Sequence, residues 1–488
     1  MTDRLSALDA SFLFVEEADT AMHVGGLAIF DAPPGGLDVD ALERHIARRI
    51  GRVPRFRQRV RAVPGGLARP VWVDDAHFDL DHHVRRSHLP RPGGDAQLDA
   101  FVARVMARPL DRDRPLWELY VIEGLSDGRF AILTKTHHAI VDGVASVDLA
   151  QVLLDPTPEP PDDPVDDWSP RPEPSDAELV ASAVGDMLRT PGDALESFAR
   201  RAPDPAALLR GIAGAANGVV STLRAVAAPA GADSLSAVNV SDARVFARVD
   251  GALADHKLIR EVHGATVNDV VLTVVAGALR AWLMARGEPV HQGTTVRALV
   301  PVSLRGHHAS PSPHATGHEA VQDDPRTGNH VSAYFVELPV GEPNPVIRLQ
   351  QVAMSMRGLK DSGQALGAQT IISLAGYAPS TVHAMAARTA NTLSRRVFGL
   401  MVTNVPGPQF PLYVIGARLR AAYPVAPLAH GQAIAIGVTS YDGSVFYGLL
   451  GDREAMPDMD VLAQCLGDSL AELVVLSSPG PIRRRGAR

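Results

Sequence analysis

The stretch that most restricts the fold of this chain is KTHHAIVDGVAS, residues 135–146. It begins at the end of RFAILTKT (129–136), an apolar and β-branched run typical of a strand. It leads into VASVDLAQVLL (144–154), which has helical spacing. A histidine at a strand-to-helix junction can project its ring into a cleft, where imidazole is suited to proton transfer. The alternative is a pair of surface histidines before a helix cap, but the strand–turn–helix context favours a functional site.

Four positions in this stretch form the pattern HHxxxDG, namely His137, His138, Asp142 and Gly143. Asp142 and Gly143 are predicted to form the turn that starts the next helix. An aspartate in such a turn can cap free N–H groups or pair with a cation. The histidine pair at 82–83 has no DG behind it, and we interpret it as ordinary and exposed.

Composition limits the class of protein. A chain of 488 residues is too long for one ordinary core, and 46% hydrophobic with 21% charged residues is globular composition. A net charge of −8 argues against a nucleic-acid partner. The single cysteine, Cys465, excludes an internal disulfide framework and a multi-cysteine metal site. The N-terminus does not resemble a signal peptide, and we expect no transmembrane helix.

The chain is predicted to be α/β with two domains. Strands and helices alternate over 1–154, the N-terminal domain with HHxxxDG. Residues 155–242 are predicted to be a connection, which begins with an extended linker rich in proline and acid and continues as irregular helix. Periodic structure resumes over 243–475, the C-terminal domain, before a basic tail over 476–488.

The C-terminal domain has several clear elements. Residues 266–285 are apolar on most faces, which predicts a largely buried helix. Strands are predicted over 296–305, 329–340 and, broken by proline, 399–427. Residues 431–452 read as a hairpin with a tight Asp-Gly turn.

HHxxxDG and several other short motifs resemble those of a known enzyme family. HHxxxDG resembles the active-site motif of the condensation-domain and chloramphenicol-acetyltransferase superfamily. The rest is similar to the wax ester synthase/diacylglycerol acyltransferase family over about 5–154 and 243–475. The matching segments are the opening LSALDASFLFVEEADTAMHVGGLAIF (5–30), PLW (115–117), ND (268–269), PVSLR (301–305), GN (328–329) and VTNVPGPQFPLYVIGARL (402–419).

The resemblance implies two chloramphenicol-acetyltransferase-like domains around a shared active-site tunnel. It implies an O-acyltransferase that uses long-chain acyl-CoA to esterify diacylglycerol, a long-chain fatty alcohol or both, without cofactor or metal. Two alternatives stay open: a superfamily relative that acylates another hydroxyl, such as a polyketide or glycolipid, and a lipid-droplet protein without catalysis. The expected location is cytoplasmic, peripheral on the inner face of the membrane or on lipid droplets.

The resemblance also assigns roles. His138 is the general base and His137 its structural neighbour. His138 would deprotonate the alcohol as it attacks the thioester and then protonate the CoA thiolate. Backbone N–H groups, Thr403 or Asn404 would bind the oxyanion. Since no G-x-S-x-G elbow is present and Cys465 has no histidine nearby in sequence, we expect direct transfer.

Asp142 is expected to form an ion pair with an arginine of the other domain, for which Arg305 at the end of PVSLR is the candidate. A solvated strand end is the alternative for Arg305. A local helix cap is the alternative for Asp142.

The other motif residues carry weaker expectations. Pro115, Leu116 and Trp117 are expected to pack. Asn268 and Asp269 are placed on the substrate side, although capping or inter-domain hydrogen bonds explain them better than catalysis does.

Gly328 and Asn329 could let the backbone approach a substrate, and a plain turn explains them nearly as well. The histidines of the adjoining 307–328 loop fit no fixed metal-ligand spacing, so we interpret that loop as surface.

Overall fold

The structure, a computed structural model, describes residues 3–17, 19–33, 35–141, 152–159, 168–186, 235–303, 331–361 and 399–478. We call 3–186 the N-terminal half and 235–478 the C-terminal half. Four predicted segments lie outside the described residues: most of the 144–154 helix, residues 207–226 of the connection, whose sequence is mildly amphipathic, the 307–328 loop and most of the basic tail.

The N-terminal half alternates strands and helices, as its sequence pattern predicts. Its strands are β1 (Asp3–Arg4), β2 (His23–Phe30), β3 (Gln58–Arg61), β4 (Val71–Asp74), β5 (Val84–His88), β6 (Trp117–Glu123) and β7 (Phe130–His137). Its helices are α1 (Ala7–Val15), α2 (Val39–Ile50), α3 (Leu80–His83), α4 (Asp95–Met106), α5 (His138–Val141) and α6 (176–186). Short 3-10 turns lie at Pro54–Arg57, Pro64–Gly66 and Ser126–Gly128.

The described residues of the C-terminal half form ten strands and four helices. Its strands are β8 (Ser236–Val238), β9 (Arg244–Ala252), β10 (Val296–Ser303), β11 (Val331–Leu338), β12 (Leu400–Pro406), β13 (Tyr413–Val414), β14 (Ala417–Val425), β15 (Gly431–Gln432), β16 (Ile434–Tyr441) and β17 (Ser444–Asp452). Its helices are α7 (Leu253–His263), α8 (Val267–Ala285), α9 (Pro345–Asp361) and α10 (Met459–Ser477).

Two six-stranded sheets organise the fold. One has the order β13-β14-β2-β7-β6-β5 and the other β11-β10-β12-β16-β17-β9, with small β1-β4-β3 and β15-β8 sheets beside them. The prediction of an α/β chain with two sheet-containing domains is confirmed. The domain boundaries stay a prediction, because β13 and β14 come from the C-terminal half yet complete the first sheet.

Helix α8 is the centre of the second core. Thr266 and Asp269 form a reciprocal capping box at its start, and most of its side chains are buried. It is long and apolar enough to cross a membrane by length and composition alone, but 72% of that window is buried in the fold. Burial on nearly all faces is what the sequence predicts for a core helix.

The predicted hairpin of the C-terminal half is present as β16 and β17. Asp442 and Gly443 both have positive φ, 45° and 84°. Two successive positive φ values are the requirement of the tight two-residue turn that fits the twist of antiparallel strands. The local sequence thus determined both the turn and the register, which runs from Tyr441↔Ser444 to Ile434↔Gly451.

Strand β14 passes between the two sheets. It pairs with β2, and its Pro424 packs on the facing Gly437 and Gly448 of β16 and β17. A Cβ atom on Gly448 would lie 2.0 Å from the Pro424 carbonyl oxygen. The close approach therefore requires glycine there, and it fixes the C-terminal sheet against the strand that completes the N-terminal one.

The described part of the acidic linker contacts arginines. Glu173 accepts hydrogen bonds at 2.7 Å from Arg59 and from Arg61, and Arg61 also binds Asp176 at 2.6 Å. These opposite charges offset the mutual repulsion that the acidic composition implies. Residues 173–176 of the linker therefore lie along β3.

Candidate active site

His138 stands at the junction of β7 and α5, where the sequence pattern places it. Its backbone N–H donates to the carbonyl of Met22 at 2.9 Å. Its half-buried ring stacks on Phe12 of α1, with centroids 4.2 Å apart and planes 20° from parallel. One main-chain hydrogen bond and one aromatic face thus orient an imidazole that keeps partial exposure.

His137, by contrast, is buried, with a side chain 1% exposed. Its Nδ1 accepts the N–H of Ala139 at 3.0 Å, so the neutral ring carries its proton on Nε2. Nε2 lies 3.5 Å from Oε2 of Glu16. Burial lowers the pKa of His137, although Glu16 opposes that shift. The ring is therefore a neutral brace for the turn that begins at His138.

Glu16 is a functional-site candidate that the sequence reasoning missed. Burial by itself would raise the pKa of its carboxyl, but the nearby His137, His23 and Arg112 hold that pKa well below its usual range. Oε1 accepts the N–H of Met22 at 3.0 Å, and Oε2 accepts from Arg112 Nη2 at 2.5 Å. An ionised carboxylate thus joins the end of α1, the start of β2 and the histidine pair.

His23 completes this buried cluster. It lies opposite His137 in the β2–β7 register, and the two rings are edge-on with centroids 6.1 Å apart. Its Nε2 is 3.4 Å from Oε1 of Glu16. Burial lowers the pKa of His23 to about 4, although Glu16 opposes the shift. His23 is consequently neutral near pH 7, and the cluster carries the charges of Glu16 and Arg112.

The PLW residues pack beneath this end of the sheet. Pro115, Leu116 and Trp117 are all buried, and the Leu116 carbonyl accepts the His137 N–H at 2.9 Å. Trp117 donates its indole N–H to the Phe56 carbonyl at 2.8 Å. Leu116 therefore connects the motif to the strand that carries the histidine pair.

The prediction that the histidines at 82–83 are exposed is wrong, because His82 is half-buried and His83 is buried. His83 is 1% exposed, donates from Nδ1 to the Trp117 carbonyl at 2.7 Å and stacks on the indole with centroids 4.5 Å apart. The sequence did not show that α3 folds back over Trp117.

The ND and NVPGP motifs meet in the C-terminal half. Asn404 Nδ2 on β12 donates to Asn268 Oδ1 at 3.3 Å, which joins β12 to the start of α8. Asp269 serves the capping box of that helix. Thr403 is half-buried and, by strand alternation, faces away from Asn404. His138 lies in the other half, so these residues and the candidate base come from different sheets.

Five predicted site residues lie outside the described part of the chain. They are Asp142, Gly143, Arg305, Gly328 and Asn329. Their assignments, including the Asp142–Arg305 ion pair, stay predictions.

One cluster has the residue types of a cation site. Glu17, Asp19 and His430 each offer one atom, and these atoms lie within 4.8 Å of one another. His430 Nε2 is 2.8 Å from Glu17 Oε2, so an ion pair or charge-assisted hydrogen bond accounts for the approach without a metal.

Comparisons with known proteins point to one family. A family model described as the wax ester synthase/diacylglycerol acyltransferase catalytic domain matches residues 5–271, and one for the C-terminal domain of that family matches 327–474. A probable diacylglycerol O-acyltransferase of Mycobacterium tuberculosis is 35% identical over 99% of both chains.

Solved structures extend the likeness to three dimensions. The wax ester synthase/diacylglycerol acyltransferase from Marinobacter aquaeolei VT8 has a TM-score of 0.66 and 28% identity, covering 97% of this chain and 99% of that one. The starter condensation domain of rhizomide synthetase has a TM-score of 0.54 over 98% of this chain and 95% of its own. At 13% identity, that second likeness concerns the fold alone.

Proposed function

The chain belongs to the wax ester synthase/diacylglycerol acyltransferase family, and from that premise we propose that it transfers a long-chain acyl group from acyl-CoA to diacylglycerol, a long-chain fatty alcohol or both. It is an acyltransferase of this family. The observation that carries the finer proposal is the placement of His138, a half-buried imidazole at a strand end braced by the neutral His137.

In the proposed reaction His138 acts as general base. It takes the proton of the acceptor hydroxyl while the oxygen attacks the thioester carbon, and it returns that proton to the departing CoA sulfur. One ester C–O bond forms and one C–S bond breaks, so the acyl group passes directly between the two substrates. No cofactor is needed for this exchange, because the thioester is the activated group.

The tetrahedral intermediate requires hydrogen-bond donors where its oxyanion forms. Backbone N–H groups and the side chain of either Asn404 or Thr403, which face opposite sides of β12, are our candidates. The Asn404 amide already spends one N–H on Asn268, which orients it and leaves its second N–H for a ligand. We further propose that Asp142 pairs with Arg305 and that Gly328 and Asn329 line the substrate path.

The proposed location is peripheral, at the inner face of the membrane or on lipid droplets. The proposed acceptor is an uncharged lipid with long apolar chains, so we expect the enzyme to meet it at a lipid surface. Val405 and Phe410, one and six residues after Asn404 in the same motif, are 64% and 51% exposed and offer apolar contacts.

Release of free thiol from a long-chain acyl-CoA tests the reaction. We expect release to depend on added diacylglycerol or hexadecanol, with the matching ester as product. Equal thiol release with and without acceptor would indicate a thioesterase. No release with either lipid acceptor, but release with another hydroxyl compound, would move the protein to the wider superfamily.

A further inference from the structure

The segment between α1 and β2, residues 16–22, is the support of the candidate base. Met22 at its end accepts the backbone N–H of His138 at 2.9 Å. The N–H of Met22 in turn donates to Glu16 at the start of the segment. A displacement of Met22 would therefore move the carbonyl that accepts the His138 N–H.

A histidine from the C-terminal half holds the middle of this segment. His430 lies between β14 and β15, is 6% exposed and places Nε2 2.8 Å from Glu17 Oε2 and 3.1 Å from Thr20 Oγ1. An ionised carboxylate only accepts, so Nε2 must carry the proton, and the Thr20 hydroxyl serves as its second acceptor. One ring N–H thus contacts both ends of the 17–20 turn.

The 17–20 turn is held by hydrogen bonds within the turn and from the C-terminal half. Thr20 is fully buried, and its N–H donates to the Glu17 carbonyl at 3.2 Å, which closes the turn. Arg244, also from the C-terminal half, donates to the Asp19 carbonyl. Two side chains of the C-terminal half therefore hold the turn, while the His138 N–H is bound by Met22 at the end of the segment.

We propose that His430 is a positioning residue for acyl transfer, which sets the 17–20 turn and, through Met22, the alignment of His138. The proposal rests on the proposed function and deepens it. Since His430 and the 17–20 turn come from different halves of the chain, the alignment of His138 depends on how the two halves are docked. His430 belongs to no motif singled out in the sequence.

A positioning role predicts a loss in kcat rather than in KM. Misplacement of a catalytic group by about 1 Å can cost roughly 10²-fold, and the loss of one of several supports should cost part of that. We therefore expect His430→Leu to lower kcat about 10-fold, while KM for acyl-CoA changes less than about twofold.

The test uses three variants of the full chain and one matched control. His430→Leu removes the N–H, His430→Gln restores an N–H donor of similar reach, and Thr20→Val removes the hydroxyl with little change in shape. His263→Leu is the control, because His263 Nε2 makes a comparable 3.0 Å contact with the Ser477 hydroxyl on the helical layer. Thiol release gives kcat and KM, and thermal unfolding gives stability.

We expect kcat to fall in His430→Leu and Thr20→Val, to recover in His430→Gln and to stay unchanged in His263→Leu. A kcat within twofold of wild type in His430→Leu, a loss confined to KM, or a Gln variant as slow as the Leu variant would overturn the positioning role. If His430→Leu does not fold, an unaffected Thr20→Val overturns it. An inactive wild-type protein would instead refute the proposed function itself.

Discussion

Nε2 of His137 lies 3.5 Å from Oε2 of Glu16, and this contact joins the strand that carries the candidate base to the end of the first helix. The same carboxylate binds Arg112 and the main chain of Met22. A single buried charge thus supports the candidate site from beneath.

We expect Glu16→Gln to reduce both activity and stability. The amide keeps the shape but loses the negative charge, and weakening a buried charge-assisted network typically costs about 1–3 kcal/mol. We expect kcat to fall at least about 10-fold because the turn at His138 loses its support. Urea unfolding and thiol release measure the two effects.

Glu43→Gln, which weakens the exposed pair with Arg86, is the control and should change neither. A Glu16→Gln protein with wild-type kcat would contradict this role.

His138→Ala should affect activity alone, whereas His137→Ala should also affect folding. Loss of a general base typically costs about 10²–10⁴-fold in rate, so His138→Ala should be folded and nearly inactive. His137→Ala leaves a buried cavity beside Glu16 and should also reduce the folded yield. Circular dichroism and the thiol assay separate the cases. Near wild-type turnover in folded His138→Ala would remove the central assignment.

Asp142 and Arg305 are expected to form an ion pair between the two domains. Breaking a buried pair typically costs about 3–5 kcal/mol, because one charge stays uncompensated. Asp142→Ala and Arg305→Ala should each lower the unfolding free energy, and the double variant should lose much less than their sum. Additive losses would instead favour a local helix cap for Asp142, with the role of His138 unchanged.

His23 should make stability depend on pH between about 6.5 and 4. Its folded pKa is lowered to about 4, so in this window the unfolded chain binds more protons than the folded one. The stabilisation is therefore present above pH 6.5 and is lost as pH falls. The expected loss from His23 is about 2 kcal/mol between pH 7 and 5. Urea unfolding of wild type and His23→Gln at both pH values measures it. An equal pH effect in the two proteins would show that His23 does not titrate in this way.

Membrane association should be peripheral. Helix α8 is the one candidate span among the described residues, and most of it is buried between sheet and helices. We expect carbonate or high salt to release the protein from a membrane fraction. Retention through both washes, with release by detergent alone, would indicate an integral protein.

Local patterns sufficed for much of the fold but not for the support of the candidate site. The Asp442-Gly443 turn and the apolar run of α8 are determined by neighbouring residues, and both are present as predicted. Glu16 and His430 act through partners that are distant in sequence, and neither occupies a position in a short motif. Their roles depend on the pairing of β2 with β7 and on the docking of the two halves, which local periodicity does not specify.

Strand β14, which comes from the C-terminal half but pairs with β2, also has a consequence for folding during synthesis. During synthesis, β2 emerges early, whereas the strand that covers its outer edge is translated only after the connection and most of the C-terminal half. Until then the nascent chain presents an uncovered strand edge, which can pair with other chains. Ribosome-bound chains that stop before residue 417 should therefore depend on chaperones, and completion of the first sheet should be among the last events of folding.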